Sequence, residues 1–179
     1  PLPLDKPTPN RHCGSCTACL DMCPTDAFVK PWVLDASKCI SYLTIEHDGP
    51  IPVELRSKIG NRIFGCDDCQ LVCPWTKFAK YTEEQDFQPR HQLDKEELIT
   101  LFLWHEEEFL KKTEGSPIRR TGYENWLRNI AVALGNAPTS ESIVQALQSR
   151  AQDESEIVQE HVAWALAQHD RKIQIINTP

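Results

Sequence analysis

No cysteine follows Cys73, although the chain continues to Pro179. No uninterrupted apolar run is long enough to span a bilayer. No charged-then-apolar leader opens the chain. Basic residues are in deficit: 19 Lys and Arg against 26 Asp and Glu leave a formal net charge of −7. That excludes a broad basic face for nucleic acid and leaves room for a local patch. These absences predict a protein of the reducing cytoplasm with no membrane partner. A starting methionine is also missing, and Pro1, Pro3, Pro7 and Pro9 favour an extended connector over residues 1–10. Together these two features predict the later portion of a longer protein. The length, 179 residues, suits one or two small domains with ordinary cores.

What is present is a concentration of thiols. All eight cysteines lie between Cys13 and Cys73, in two knots with Cys39 alone between them. A disulfide scaffold would spread its cysteines through a small secreted domain. The first knot, "CGSCTACLDMCP", is C-x2-C-x2-C-x3-C-P. The second, Cys66, Cys69 and Cys73 with Pro74, is C-x2-C-x3-C-P, the same pattern with one member missing. The full pattern is the bacterial ferredoxin run, whose fourth cysteine serves the other cluster. Three thiolates at i, i+3 and i+6 wrap three iron corners of a cubane from one tight loop. Small spacers (Gly14, Ser15, Thr17, Ala18) let backbone amides approach the sulfurs. Pro24 keeps Cys23 out of a helical conformation, free to point elsewhere. The swap assigns Cys13, Cys16, Cys19 and Cys73 to one [4Fe–4S] cluster, and Cys66, Cys69, Cys23 and Cys39 to a second. Every cysteine is used, four to each cluster. Zinc is the competing reading, since paired C-x2-C units bind tetrahedral zinc. Zinc sites, however, rarely need a triple followed by Cys-Pro.

Around the knots, "FVKPWVLDASKC" predicts two short strands and a turn into Cys39. Asp48-Gly49-Pro50 is a turn signal. Val53 to Ile59 predicts a helix broken at Gly60, and Gly65 allows an unusual conformation before Cys66. His12 and His47 read as ordinary polar histidines rather than ligands. Asp67 and Asp68 would repel an anionic cluster, so they serve either another molecule or simple loop solvation.

From Gln92 the pattern turns helical. Asp94 and Glu97 form a capping-box pair, and Leu98, Leu101, Phe102, His105 and Phe109 recur at helical spacing. Glu107–Lys111 and Glu108–Lys112 are favourable pairs. "YENWLRNIAVAL" predicts a second helix stopped by Gly135 and Asn136. "SESIVQALQSRAQ" and "EIVQEHVAWALAQ" predict two more, in stacked antiparallel pairs. Trp126 and Trp164 read as core. Arg119, Arg120 and Arg128 make a local basic cluster suited either to phosphate or to intramolecular pairing.

"CGSCTACLDMCPTDAF", "CISYLTIEHDG", "FGCDDCQLVCPWTKFA" and "RTGYENWLRNIAVALGN", in this order, resemble the epoxyqueuosine reductase family from about Arg11 to Asp170. The resemblance implies an α+β chain, mostly α. A bacterial dicluster ferredoxin-like domain (residues 11–85) would lead through a connecting helical segment (86–120) to a HEAT-like α-helical repeat domain (121–179). It implies an oxidoreductase that reduces epoxyqueuosine to queuosine at the tRNA wobble position, the last step of queuosine formation. Two [4Fe–4S] clusters, fed by a low-potential electron donor, would pass electrons to cobalamin. It sets Ser41, Cys66 and Asp67 against the cobalamin, puts Arg119, Arg120 and Arg128 toward RNA, and leads us to expect a monomer. The family's preceding cobalamin-cradling domain has no counterpart here, so the chain alone is expected to lack a complete active site. Two other readings remain open on the residues: a ferredoxin-type carrier fused to a helical interaction module, and a zinc-stabilised helical adaptor.

Overall fold

From Trp126 to Gly135 every residue is buried, within a helix spanning Tyr123–Asn136. A helix buried on all sides is a central one. In the computed structural model, which describes residues 3–6 and 13–176, the other elements assemble around it. In chain order they are α1 (Ala18–Met22), β1 (Phe28–Lys30), β2 (Val33–Leu34), α2 (Ile40–Ile45), α3 (Val53–Ile59) and α4 (Asp68–Leu71). After these come α5 (Leu98–Phe102), α6 (Glu106–Lys112), α7 (Tyr123–Asn136), α8 (Glu141–Gln148) and α9 (Glu156–Ile176). Most of residue 1–10, where the extended connector is expected, and His12 lie outside the described residues.

The fold is mostly helical, with one antiparallel strand pair, β1–β2, where sequence predicts it. Two cores meet at α7. On one side Leu101, Phe102, Trp104, Phe109, Trp126, Leu127 and Ile130 pack with Leu147, Val158 and Val162. On the other, Val132 joins Ile40, Leu43, Ile51, Leu55 and Ile59. Helix α7 therefore ties the helical half to the elements that carry the cysteines.

Three local expectations are corrected. The helical spacing from Leu98 to Phe109 is not one helix but two, α5 and α6. The cause is capture of carbonyls at the end of α5. Arg150 Nε donates to Phe102 O at 2.9 Å, and Tyr123 Oη and Arg150 Nη2 both donate to Trp104 O, at 2.6 and 2.8 Å. Asp94 does not cap. Glu97 occupies the N-cap without a side-chain bond, while Asp94 lies 3.9 Å from Lys95 Nζ. Of the two expected pairs on α6, Glu108–Lys112 forms, at 3.0 Å.

Gly135 and Asn136 do not stop α7; they are its last turn. A Cβ on Gly135 would lie 2.7 Å from the Trp164 ring and 2.9 Å from Ala165 Cα, so glycine is there to let α9 approach. Asn136 Nδ2 donates to Arg56 O and Gly60 O, at 2.8 and 2.9 Å, capping the end of α3 from the side.

Candidate metal centres

The two cysteine knots share one local design. Thr17 (φ −116°, ψ 5°) leads into α1, and Asp67 (φ −111°, ψ 12°) leads into α4. The amides of Leu20 and Asp21 turn back onto Thr17 O, and those of Gln70 and Leu71 onto Asp67 O. Each knot closes at a cysteine before proline, with Cys23 at φ −65°, ψ 113° and Cys73 at φ −68°, ψ 125°. Proline excludes the helical conformation at the preceding residue. Both closing cysteines are thus extended, as the motif predicts.

The consequence is an exchange of thiols. Cys13, Cys16, Cys19 and Cys73 line one cavity of about 150 Å³, together with Pro74 and Trp75. Cys23, Cys39, Cys66 and Cys69 line a second, of about 70 Å³, with Thr25, Ala27 and Ile40. No cysteine is in a disulfide; Cys13 and Cys16 are exposed and the other six half-buried. Cys39 reaches the second cavity from the N-cap of α2, where it is also extended (φ −68°, ψ 124°). Each set of thiols lines a cavity instead of meeting at a point. Among the described residues, no three His, Cys, Asp or Glu side chains gather closely enough to hold a single metal ion. A tetrahedral zinc would need sulfurs about 2.3 Å from one centre. Thiolates spread over the corners of a polynuclear cluster surround a larger space.

The local electrostatics differ between thiols. Burial raises the Cys66 thiol and the Asp68 carboxylate adds to it, against a hydrogen bond from the Asp68 backbone and the Arg62 charge. Burial also raises Cys69, reinforced by Cys66 and Cys39. Cys23 feels burial too, but hydrogen bonds from Ala27, Thr25 and Phe28 outweigh it and lower its pKa. Asp68, which looked repulsive toward an anionic cluster, pairs with Arg62 at 2.5 Å.

The segment before Cys66 is held by helix α2. Gly65, at φ +77°, donates its N–H to Thr44 Oγ1 at 2.9 Å. Asn129 Nδ2 donates to Thr44 O and Ile63 O, at 2.8 and 2.9 Å. Arg128 is fully buried and donates to Leu43 O, His47 O and Gly49 O at 2.8, 2.8 and 2.6 Å. Arg128 is therefore not RNA-facing: it satisfies carbonyls at the end of α2, and burial pushes its pKa down to about 10. Arg120 pairs with Glu46 at 2.5 Å beside a cavity whose lining includes Asp48, Glu106, Glu124, Asp153 and Glu154, a setting hostile to phosphate. Arg119 is exposed. The signal for the buried seam is in the sequence: Asn129 and Asn136 lie seven apart and bracket the apolar run from Ile130 to Leu134.

Ser41 is half-buried in the first turn of α2, Asp67 is exposed at the N-cap of α4, and Cys66 packs against the core that contains Ile40. Ser41 and Asp67 thus directly follow two residues that line the second cavity.

A family described as a 4Fe-4S double cluster binding domain matches residues 12–76. An epoxyqueuosine reductase of Pseudomonas aeruginosa is 63% identical over 169 residues, which is 94% of this chain and 47% of that protein. Nearly the whole chain is thus similar to about half of an epoxyqueuosine reductase. Solved structures agree. The Bacillus subtilis reductase, with its catalytic loop swung out of the active site, superposes at a TM-score of 0.84 with 35% identity, over 94% of this chain and 45% of that one. An epoxyqueuosine reductase with an epoxyqueuosine-modified tRNA-Tyr stem loop superposes at 0.83 with 35% identity, over 93% and 44%. The chain spans about half the length of the epoxyqueuosine reductases it matches.

Proposed function

We propose that the protein containing this chain reduces epoxyqueuosine to queuosine at the wobble position of tRNA, and that this chain carries its electron-transfer part. One observation carries the reading: two cavities with four cysteines each, each cavity completed by a cysteine from across the pseudo-repeat. The thiol sets fit two [4Fe–4S] clusters. Cys13, Cys16, Cys19 and Cys73 would hold one; Cys23, Cys39, Cys66 and Cys69 the other. When bound, such clusters supply one-electron transfer at low potential.

Cobalamin is the acceptor we infer, faced by Cys66 of the second cavity and by Ser41 and Asp67, which follow lining residues Ile40 and Cys66 in the chain. A half-buried hydroxyl and an exposed carboxylate beside the cluster loop are suited to orienting a large polar cofactor. The chain's residues then position, bury and insulate; the cofactors carry the difficult chemistry. The modified stem loop held by a 35% identical relative supports tRNA as the partner. Of the three arginines, exposed Arg119 is the one left for phosphate.

The finer architecture belongs to the same proposal. We divide the chain into a connector (1–10), a dicluster domain (11–85), a linking helical segment (86–120) and a HEAT-like repeat (121–179). The protein acts as a cytoplasmic monomer fed by a low-potential donor. Among the described residues no helix is long and apolar enough to cross a membrane.

The test is anaerobic purification of the full-length gene product with cobalamin, followed by reduction and an assay on epoxyqueuosine-bearing tRNA. Queuosine formation with about eight irons per chain, four for each cluster, is expected. A fully loaded, reduced protein that leaves the epoxide intact contradicts the proposal.

A further inference from the structure

The pseudo-repeat is broken at one buried position. Two residues after the closing cysteine, the first knot has Thr25 and the second has Trp75. Thr25 is only 2% exposed. Its hydroxyl lies 3.7 Å from Cys23 Sγ, its one side-chain partner among the described residues. Next to it, Ala27 N–H donates to the same sulfur at 3.3 Å. Asp26, at φ +53°, turns the chain so that this amide points back. The second half has no such arrangement. Thr76 turns its hydroxyl to Gln70 O at 2.5 Å, and no side chain or amide among the described residues donates to Cys73 Sγ.

We infer that Thr25 tunes the reduction potential of one cluster alone, the one held through Cys23, by donating its hydroxyl hydrogen to that sulfur. This rests on both cavities holding [4Fe–4S] clusters. A free thiol can donate or accept, but an iron-bound thiolate can only accept. Ligation therefore fixes the direction of the bond, from Thr25 Oγ1 to Cys23 Sγ. Reduction adds negative charge to the cluster, and part of it resides on the sulfur ligands. A hydrogen bond to a charged acceptor strengthens with that charge, so the reduced state gains more than the oxidised one and the potential rises. Burial acts in the opposite direction, because low dielectric disfavours the more highly charged reduced state. The cavity at Cys23 has no exposed cysteine, whereas the other has two. The Thr25 bond thus offsets a burial penalty that falls more heavily on one cluster than on its partner.

The experiment is an EPR-monitored redox titration of the anaerobic, full-length protein with a one-electron reductant, in the parent and three variants. Thr25→Val keeps the shape and removes the donor; Thr25→Ser restores it; Thr76→Val is the control from the other half. Thr25→Val is expected to lower one of the two cluster potentials, with a loss of roughly tenfold in its reduction equilibrium, or about 59 mV for one electron. Thr25→Ser should return it toward the parent value, and Thr76→Val should move neither. If Thr25→Val leaves both potentials in place, or moves both alike, the inference is wrong. Should Thr25→Val lose its cluster, the parent protein still decides. Pulsed EPR after exchange into D2O should show two exchangeable deuterons beside Cys23, from the Ala27 amide and the Thr25 hydroxyl, and the amide deuteron alone overturns the inference. A parent protein without two clusters refutes the proposed function instead, and iron analysis of the parent separates the two failures.

Discussion

Arg128 and His161 show how much of this molecule depends on single buried polar side chains. Arg128 reaches three carbonyls at the end of α2 and also bonds Asn129 Oδ1. Replacing it with Met would leave buried acceptors unpaired, which costs about 1–3 kcal/mol for each group left unsatisfied. Thermal unfolding of Arg128→Met should therefore show a fall in Tm of several degrees, and iron loading of the cluster proposed at Cys39 should drop with it. An unchanged Tm would contradict this role. His161 is buried, accepts from Ile51 N–H on Nε2 at 3.1 Å and bonds Ile157 O through Nδ1 at 2.7 Å. It is therefore neutral, with Nδ1 carrying the hydrogen. Its pKa is pushed down to about 4, by burial first and by the nearby Arg56 and Arg128 charges, against the opposing Ile157 bond and Glu160. The unfolded chain has the ordinary value near 6.5, so it binds the proton first as pH falls. The His161 contribution to stability is complete above about pH 6.5 and is lost down to about pH 4, a change of up to about 3 kcal/mol. The difference in stability between parent and His161→Gln should shrink over that window, as read from denaturant unfolding at pH 7 and pH 4.5.

At the level of elements, close approach decides more than propensity does. Alanine is a better helix former than glycine by about 1 kcal/mol, yet Gly135→Ala should destabilise the protein by about 1–3 kcal/mol through overpacking against Trp164 and Ala165. Differential scanning calorimetry on the two proteins checks the sign. The same helix shows where sequence reading succeeds and where it stops. The cysteine spacing, the two prolines and the β1–β2 pair were legible because each is a local constraint: three residues, one fixed φ, one turn. The helix over Val53–Ile59 ended at Gly60 as the sequence indicates. Gly135 and Asn136 carried the same stop signal, but their role is set by α9 and α3, elements that no local window contains. The split between α5 and α6 is likewise imposed from a distance, by Arg150 and Tyr123. Arg128 looked like one of three surface cations because charge alone does not reveal which arginine finds buried carbonyls.

Across the whole molecule, α7 joins the cysteine-bearing elements to the helical half through both cores and through a seam of Arg128, Asn129 and Asn136. Loss of the metal sites should therefore be felt in the helices. Chelation or oxidative loss of the clusters is expected to lower the unfolding temperature of the helical half, and far-UV circular dichroism on loaded and stripped protein reads this. In the cysteine-bearing half, the two members of the pseudo-repeat trade their last thiol between the two cavities. Anomalous diffraction at the iron edge from anaerobically grown crystals tests it directly. Two four-iron clusters are expected, with Cys73 bound beside Cys13, Cys16 and Cys19, and Cys23 beside Cys39, Cys66 and Cys69. A single tetrahedral zinc, or clusters ligated by Cys23 and Cys73 each within its own loop, would contradict it.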